Sequence, residues 1–204
     1  MSFYETCIAC PCAYDAVGFS SEGVIGVLVD GPSEYNTEIT RAFEQEIVAL
    51  TGSEFDVVML AAKRITGDWS VGSDLCGLDR LFGDPEVDLI ITAGVLSSHQ
   101  AGHRGAFTKP VISPFVINAG LQTIPLKGDA SGVKNFTYVT FPSDVVHNIR
   151  IPQSVAPFSR MAYLYTPPLI EAIPELIPNL TRETFPSWVS RSTLSRLREM
   201  MNRA

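Results

Sequence analysis

The amino-acid sequence predicts an α/β protein, a parallel β-sheet with helices on both faces. Three observations carry that expectation. Val24-Ile25-Gly26-Val27-Leu28-Val29 is apolar at odd and even positions alike, and a strand apolar on both sides belongs in the middle of a helix-covered sheet. Strand-like and helix-like runs then alternate along most of the chain, as in successive right-handed βαβ units. Turn residues punctuate them at Asp30-Gly31-Pro32, Thr51-Gly52 and Gly83-Asp84-Pro85.

The elements follow in order. After the first strand, Ser33 is placed to cap a helix running to about Leu50, with Ile39, Phe43, Ile47 and Leu50 at helical spacing. Phe55 to Leu60 is the second strand, and Ala61 to Ser73 a polar connection. A helix from Asp74 to Phe82 leads to a third strand, Asp88 to Gly94. Ser97 to Arg104 is helical, Pro110 to Phe115 is the fourth strand, and Phe136 to Phe141 is the fifth. The doubly wound, flavodoxin-like order 2-1-3-4-5 puts the wholly apolar first strand at the centre. After Asp144 the pattern restarts. A short helix runs from Pro142 to Ile149, a strand from Arg160 to Tyr165 and a helix from Pro167 to Ile177. An amphipathic helix, Trp188 to Met201, closes the chain.

Composition narrows the function classes. Of the 204 residues 46% are hydrophobic and 18% charged, which suits a packed core and not disorder. The longest apolar runs are too short to span a bilayer. The net charge is -7. Residues 1–100 carry 4 basic and 16 acidic side chains, and residues 101–204 carry 11 and 6. An acidic first half repels a phosphate backbone, so no nucleic-acid partner is expected. Cys7, Cys10 and Cys12 cluster near the start. Metal binding, a Cys7–Cys10 redox pair and an irregular terminus are the three readings of that cluster, and no fourth zinc ligand lies near. Residues 1–23 lack a basic n-region, and Pro11 and Asp15 interrupt their apolar stretch, so the start taken literally predicts a cytoplasmic chain.

In such a sheet, ligands bind beyond the carboxyl ends of the strands. The candidate loops are Asp30-Gly31-Pro32, Gly94-Val95-Leu96-Ser97-Ser98, Phe115 to Asn118, and the loop after Tyr138. At Gly94 to Ser98, free backbone N–H groups at a helix start could receive a carboxylate or another polar group; the competing reading is that Ser97 simply caps that helix. His99 and His103 share a helix face, but Gln100 stands where a zinc protease has Glu, so a partly exposed helix surface is expected and no metal. No nucleophile elbow, P-loop or dinucleotide fingerprint is present. Neither catalysis nor a cofactor is therefore expected.

Several stretches occur in a familiar order: Gly26 to Pro32, Phe55 to Val57, Gly67 to Trp69, Asp84 to His99, Lys109 to Gln122 and Ser131 to Asp144. Together they resemble a family of ABC-transporter substrate-binding proteins of Gram-negative bacteria, often encoded beside outer-membrane efflux components. The resemblance covers about Val24 to Ile177. It implies a type 1 periplasmic-binding-protein architecture, with two doubly wound lobes and a small solute in the cleft between them. By position, Asp30, Gly31, Pro32, Gly94, Val95, Ser97, Ser98, Phe115 and Tyr138 would serve that ligand.

The resemblance also implies a periplasmic location. It divides the chain into an irregular segment 1–23, a ligand-binding lobe 24–150, and an incomplete second lobe with its amphipathic helix over 151–204. An incomplete lobe has an exposed sheet edge, and a homodimer is one way to cover it. Transporter or efflux components are the implied partners. The two alternatives are a non-catalytic interaction module of an efflux complex and an enzyme on a flavodoxin-like sheet.

Overall fold

The computed structural model describes residues 22–52, 54–105, 107–128, 130–140, 151–156, 158 and 165–184. Cys7, Cys10 and Cys12, the helix expected over 142–149, nearly all of the strand expected over 160–165, and the helix expected over 188–201 lie outside them.

The sheet begins with β1 (Glu22–Val29), followed by α1 (Glu34–Thr51) and β2 (Asp56–Val58). A 3-10 turn at Ala61–Lys63 leads to β3 (Arg64–Thr66), then α2 (Val71–Gly83) and β4 (Leu89–Thr92). Next come α3 (Val95–His103) and β5 (Val111–Val116). A small hairpin of β6 (Leu126–Lys127) and β7 (Ala130–Ser131) precedes β8 (Phe136–Thr140). Two short helices, α4 (Pro167–Ala172) and α5 (Leu176–Thr184), come last. The main sheet runs β2-β1-β4-β5-β8, and every pairing in it is parallel. The protein is thus an α/β fold with a parallel central sheet, in an order compatible with a flavodoxin-like arrangement.

β1 shows why the two-sided apolar pattern works. Leu28 points into a core with Leu78 and Leu81 of α2, Ile90 of β4, Ala101 of α3 and Val111 of β5. Ile25, Val27 and Val29 point the other way, toward Ile91, Ala93 and Ile47 of α1. Successive side chains of a strand alternate faces, so both must be apolar when helices cover both. β5 breaks the alternation. Its register with β8 shifts between Ser113 and Val116, around Pro114, which has no N–H to give to a ladder. The shift keeps Val116 in the α2/α3 core and turns Phe115 toward α1, where its ring meets Phe43 edge-on at 5.7 Å.

Several elements differ from the sequence expectation. The β6–β7 hairpin is unforeseen, α3 begins two residues before Ser97, and the helix expected over Pro167–Ile177 is split into α4 and α5 between Ala172 and Leu176. Within the stretch read as a polar connection, Arg64–Thr66 pairs with the last three residues of β1 as β3. Three residues are too few to show an alternating pattern, and Ile65 alone supplies the apolar contact. Helix α2 begins three residues earlier than expected. Its N-cap is Ser70, whose side chain accepts from the Ser73 N–H at 3.2 Å and is itself held by Asp68. Asp74 sits inside the first turn and is fully buried.

Candidate functional site

The carboxyl ends of β1, β4 and β5 open into a cleft of ≈ 700 Å³, within the usual range for a small-molecule site. Its floor is Asp30, Ala93, Gly94 and Phe115. One wall is the first turns of α1, with Tyr35, Asn36 and Ile39, and Trp69 lines it too. Val95, Leu96 and the start of α4, Thr166, Pro168 and Leu169, complete it. Leu96 of α3 also belongs to an apolar cluster with Leu121, Ala172, Ile173, Leu176 and Leu180, which docks α4 and α5 beside the strand ends. The described part of 165–184 is thereby a piece of this cleft.

Asp30 organises the floor. It is 3% exposed, and its carboxylate accepts from the backbone N–H of Leu96 at 2.8 Å, the N–H of Ser97 at 2.9 Å and the Ser97 hydroxyl at 2.6 Å. Those N–H groups are the unpaired donors of the first turn of α3, where the helix dipole also favours negative charge. Gly94, at the N-cap position, brings no side chain to do this. It also leaves the space the carboxylate needs, because a Cβ there would overlap the Asp30 side chain. The helix start expected to receive a ligand's carboxylate is therefore filled by the protein's own. Ser97 does not cap the helix; it lies within the first turn and donates to Asp30.

Trp69 is held with a left-handed backbone, φ 66, a conformation that bulky residues rarely adopt and that marks a site fixed by its surroundings. The surroundings are visible. Gly67 N–H donates to Val29 O at 2.7 Å and Trp69 N–H to Asp30 O at 2.8 Å, so this segment crosses the end of β1. The indole then lies over Gly31, where any Cβ would strike it.

Of the residues expected at a ligand site, Asp30, Gly94, Val95 and Phe115 line the cleft. Gly31 and Pro32 line a neighbouring pocket of ≈ 480 Å³ with Thr37, Thr40 and Arg64. Ser98 is fully buried, bonded to the Thr92 carbonyl oxygen at 3.1 Å and lying 3.2 Å from the Thr92 hydroxyl. Tyr138 packs beside Phe136 at 5.8 Å against the α2/α3 core, and burial raises its pKa. Neither reaches the cleft lining. Sequence reasoning passed over Tyr35, Asn36, Ile39, Trp69 and the Thr166–Leu169 segment as lining of the cleft. Only Trp69 had a signal, an aromatic flanked by Gly67 and Ser70 in a turn-rich connection.

Beneath the floor lies a second carboxyl group. Asp74 is fully buried, and neither of its oxygens has a hydrogen-bond partner among the described residues. Burial foremost, then the charges of Asp30 and Asp68, push its pKa up to about 8. Of the two histidines of α3, His103 is exposed as expected and His99 is not. His99 is 6% exposed and not on an open surface, and its ring lies 4.2 Å from that of His103.

Set against protein-family models, curated proteins and solved structures, the chain matches none of them. The fold and cleft define an α/β protein with a ligand-sized, mostly apolar depression at its strand ends.

Proposed function

We propose that the chain binds a small, largely apolar solute in this cleft, in the manner of a transport- or efflux-associated substrate-binding protein. The observation that carries the reading is the cleft itself, at the carboxyl ends of three parallel strands, with Tyr35, Trp69 and Phe115 in its lining. Its polar groups are few, which suits orientation of a ligand more than anchoring by charge. Among the described lining residues, Asp30 is the one charged side chain, and it is negative. A neutral or cationic solute is favoured over a carboxylate or phosphate, because the helix start that would attract an anion is already neutralised. The association with transport rests on the ordered resemblance over Val24 to Ile177.

The test uses Trp69 as reporter, with Trp188, the other of the two tryptophans, replaced by Phe. Neutral and cationic aromatic probes should change the indole fluorescence saturably. Trp69→Ala, followed by a fluorescent probe such as Nile red, should weaken binding about tenfold, one aromatic contact of ~1.4 kcal/mol. Gly31→Ala should weaken it as well, by displacing the indole. If no probe saturates, or both variants bind as tightly as the parent chain, the cleft is not a ligand site.

A further inference from the structure

The far end of α3 carries a group of side chains that the cleft does not use. His99 and His103 project from its last turns, and Glu175 comes from the corner between α4 and α5. One ligand atom from each can be chosen so that all three lie within 4.8 Å of one another. His99 Nε2 is already 3.7 Å from Glu175 Oε1.

The hydrogen bonds around the group converge on one hydroxyl, that of Thr123. His103 Nδ1 lies 3.0 Å from the His99 carbonyl oxygen. A carbonyl only accepts, so Nδ1 carries the hydrogen and Nε2 of the neutral ring is a lone pair. The Thr123 hydroxyl is 3.2 Å from that Nε2 and 3.1 Å from Glu175 Oε1. Its single proton cannot serve both acceptors. Thr123 is held there at φ 53, left-handed for a β-branched residue. His99 Nδ1 is buried with no partner among the described residues. With the His103 ring neutral, a cation settles the competition for the hydroxyl proton, because the His103 Nε2 lone pair and the Glu175 oxygen can share one ion; the His99 Nδ1 position is not changed by it.

We propose that His99, His103 and Glu175 form a site for a divalent transition-metal ion of zinc type. Two imidazoles four residues apart on a helix and a carboxylate from another element are a donor set such ions take. Donors on a tetrahedral zinc at its usual bond lengths stand about 3.4 Å apart, so the His99–Glu175 pair needs almost no movement. The half-buried Glu175 can close the rest by side-chain rotation, with His103 kept in place. The His103 Nδ1 bond to a backbone carbonyl is the outer-shell contact that fixes a ligating histidine's tautomer. The ion would pin the α4–α5 corner to α3, and with it the Thr166–Leu169 side of the cleft. It does not depend on what the cleft binds.

Cys7, Cys10 and Cys12 could also bind metal, so the experiment uses the full chain with all three replaced by Ser. Isothermal titration with zinc, and with cobalt(II) to follow its visible absorption, should show one equivalent bound in a four-coordinate nitrogen–oxygen environment. His103→Gln and Glu175→Gln should each weaken binding at least about tenfold, with circular dichroism unchanged in metal-free buffer. Zinc should raise the melting temperature of the parent chain and fail to raise it in either variant. No binding, or unchanged affinity in either variant, overturns the site.

Discussion

Replacing Asp30 with alanine should destabilise the protein by about 3 kcal/mol, read as a fall in the urea midpoint. The carboxylate accepts three hydrogen bonds from the first turn of α3, two of them from backbone N–H groups. Bonds to a charged group contribute about 1.5–3 kcal/mol each, and a buried donor left unpaired costs a further 1–3 kcal/mol. Water entering from the adjoining cleft would re-solvate the freed donors and offset much of the loss, which holds the expectation below that sum. Gly94→Ala should have a comparable effect by a different route, because its new methyl group would occupy the carboxylate's place. The alanine variant carries a second signature. With its helix start vacated, sulfate or phosphate should raise its melting temperature and leave that of the parent chain unchanged. A midpoint shift under 1 kcal/mol, with no anion effect, would show that Asp30 is not the anchor of α3.

The second large effect is on the pH dependence of stability. Asp74 has a folded pKa of about 8 against an ordinary carboxyl value of 3.8. Between those values the folded protein keeps the proton and the unfolded chain releases it. The unfolded state therefore binds fewer protons, and stability falls as pH rises. The contribution is fully present below about pH 4, declines by roughly 1.4 kcal/mol per unit, and is lost once the pH passes 8. The ceiling is roughly 6 kcal/mol across that window, and a loss of a few kcal/mol between pH 5 and pH 8 is expected. Asp74→Asn, neutral at every pH, should flatten the slope and be the more stable protein at pH 8. Asp30→Ala should shrink the slope without removing it, because burial outweighs the Asp30 charge as the cause. Chemical denaturation at several pH values checks all three chains. An equal slope in Asp74→Asn would show that another group sets it.

Much of the sheet was legible in the chain because its strands are short apolar runs bounded by turn residues. β1, β4 and β5 fall where Val24–Val29, Asp88–Gly94 and Pro110–Phe115 pointed. α1 begins as expected, its Ser33 side chain accepting from the Asn36 N–H. What the sequence hid was of two kinds. β3 and the β6–β7 hairpin are too short to carry a period. Asp74 was misread as the start of α2 because an acidic residue near a helix start is ordinarily solvated and capping, and nothing local says that this one faces the core.

The cleft was legible in part for a related reason. Strand ends mark where a ligand goes in such a sheet, which pointed to Asp30, Gly94 and Phe115. The rest of its lining is tertiary. Trp69 arrives through a backbone conformation its residue type does not favour, and Thr166–Leu169 arrives from far along the chain. Pairing Asp30 with the start of α3 reverses the expected role of that loop, since residues 66 apart in sequence had to meet first.

The two flanks of the cleft differ in how firmly they are built. α3 is pinned by Asp30 and by a buried run of hydroxyls, Ser98, Thr92 and Ser113. In α1, Thr40 is the one fully covered residue, and Tyr35, Val48 and Leu50 face solvent. Sparse burial marks the segments that open first, so amide hydrogens of α1 should exchange with solvent well before those of α3. In the role proposed above, a recess with one rigid flank and one compliant flank would match the contour of a guest along the first and accommodate its girth along the second, and would so accept a range of sizes within one shape class.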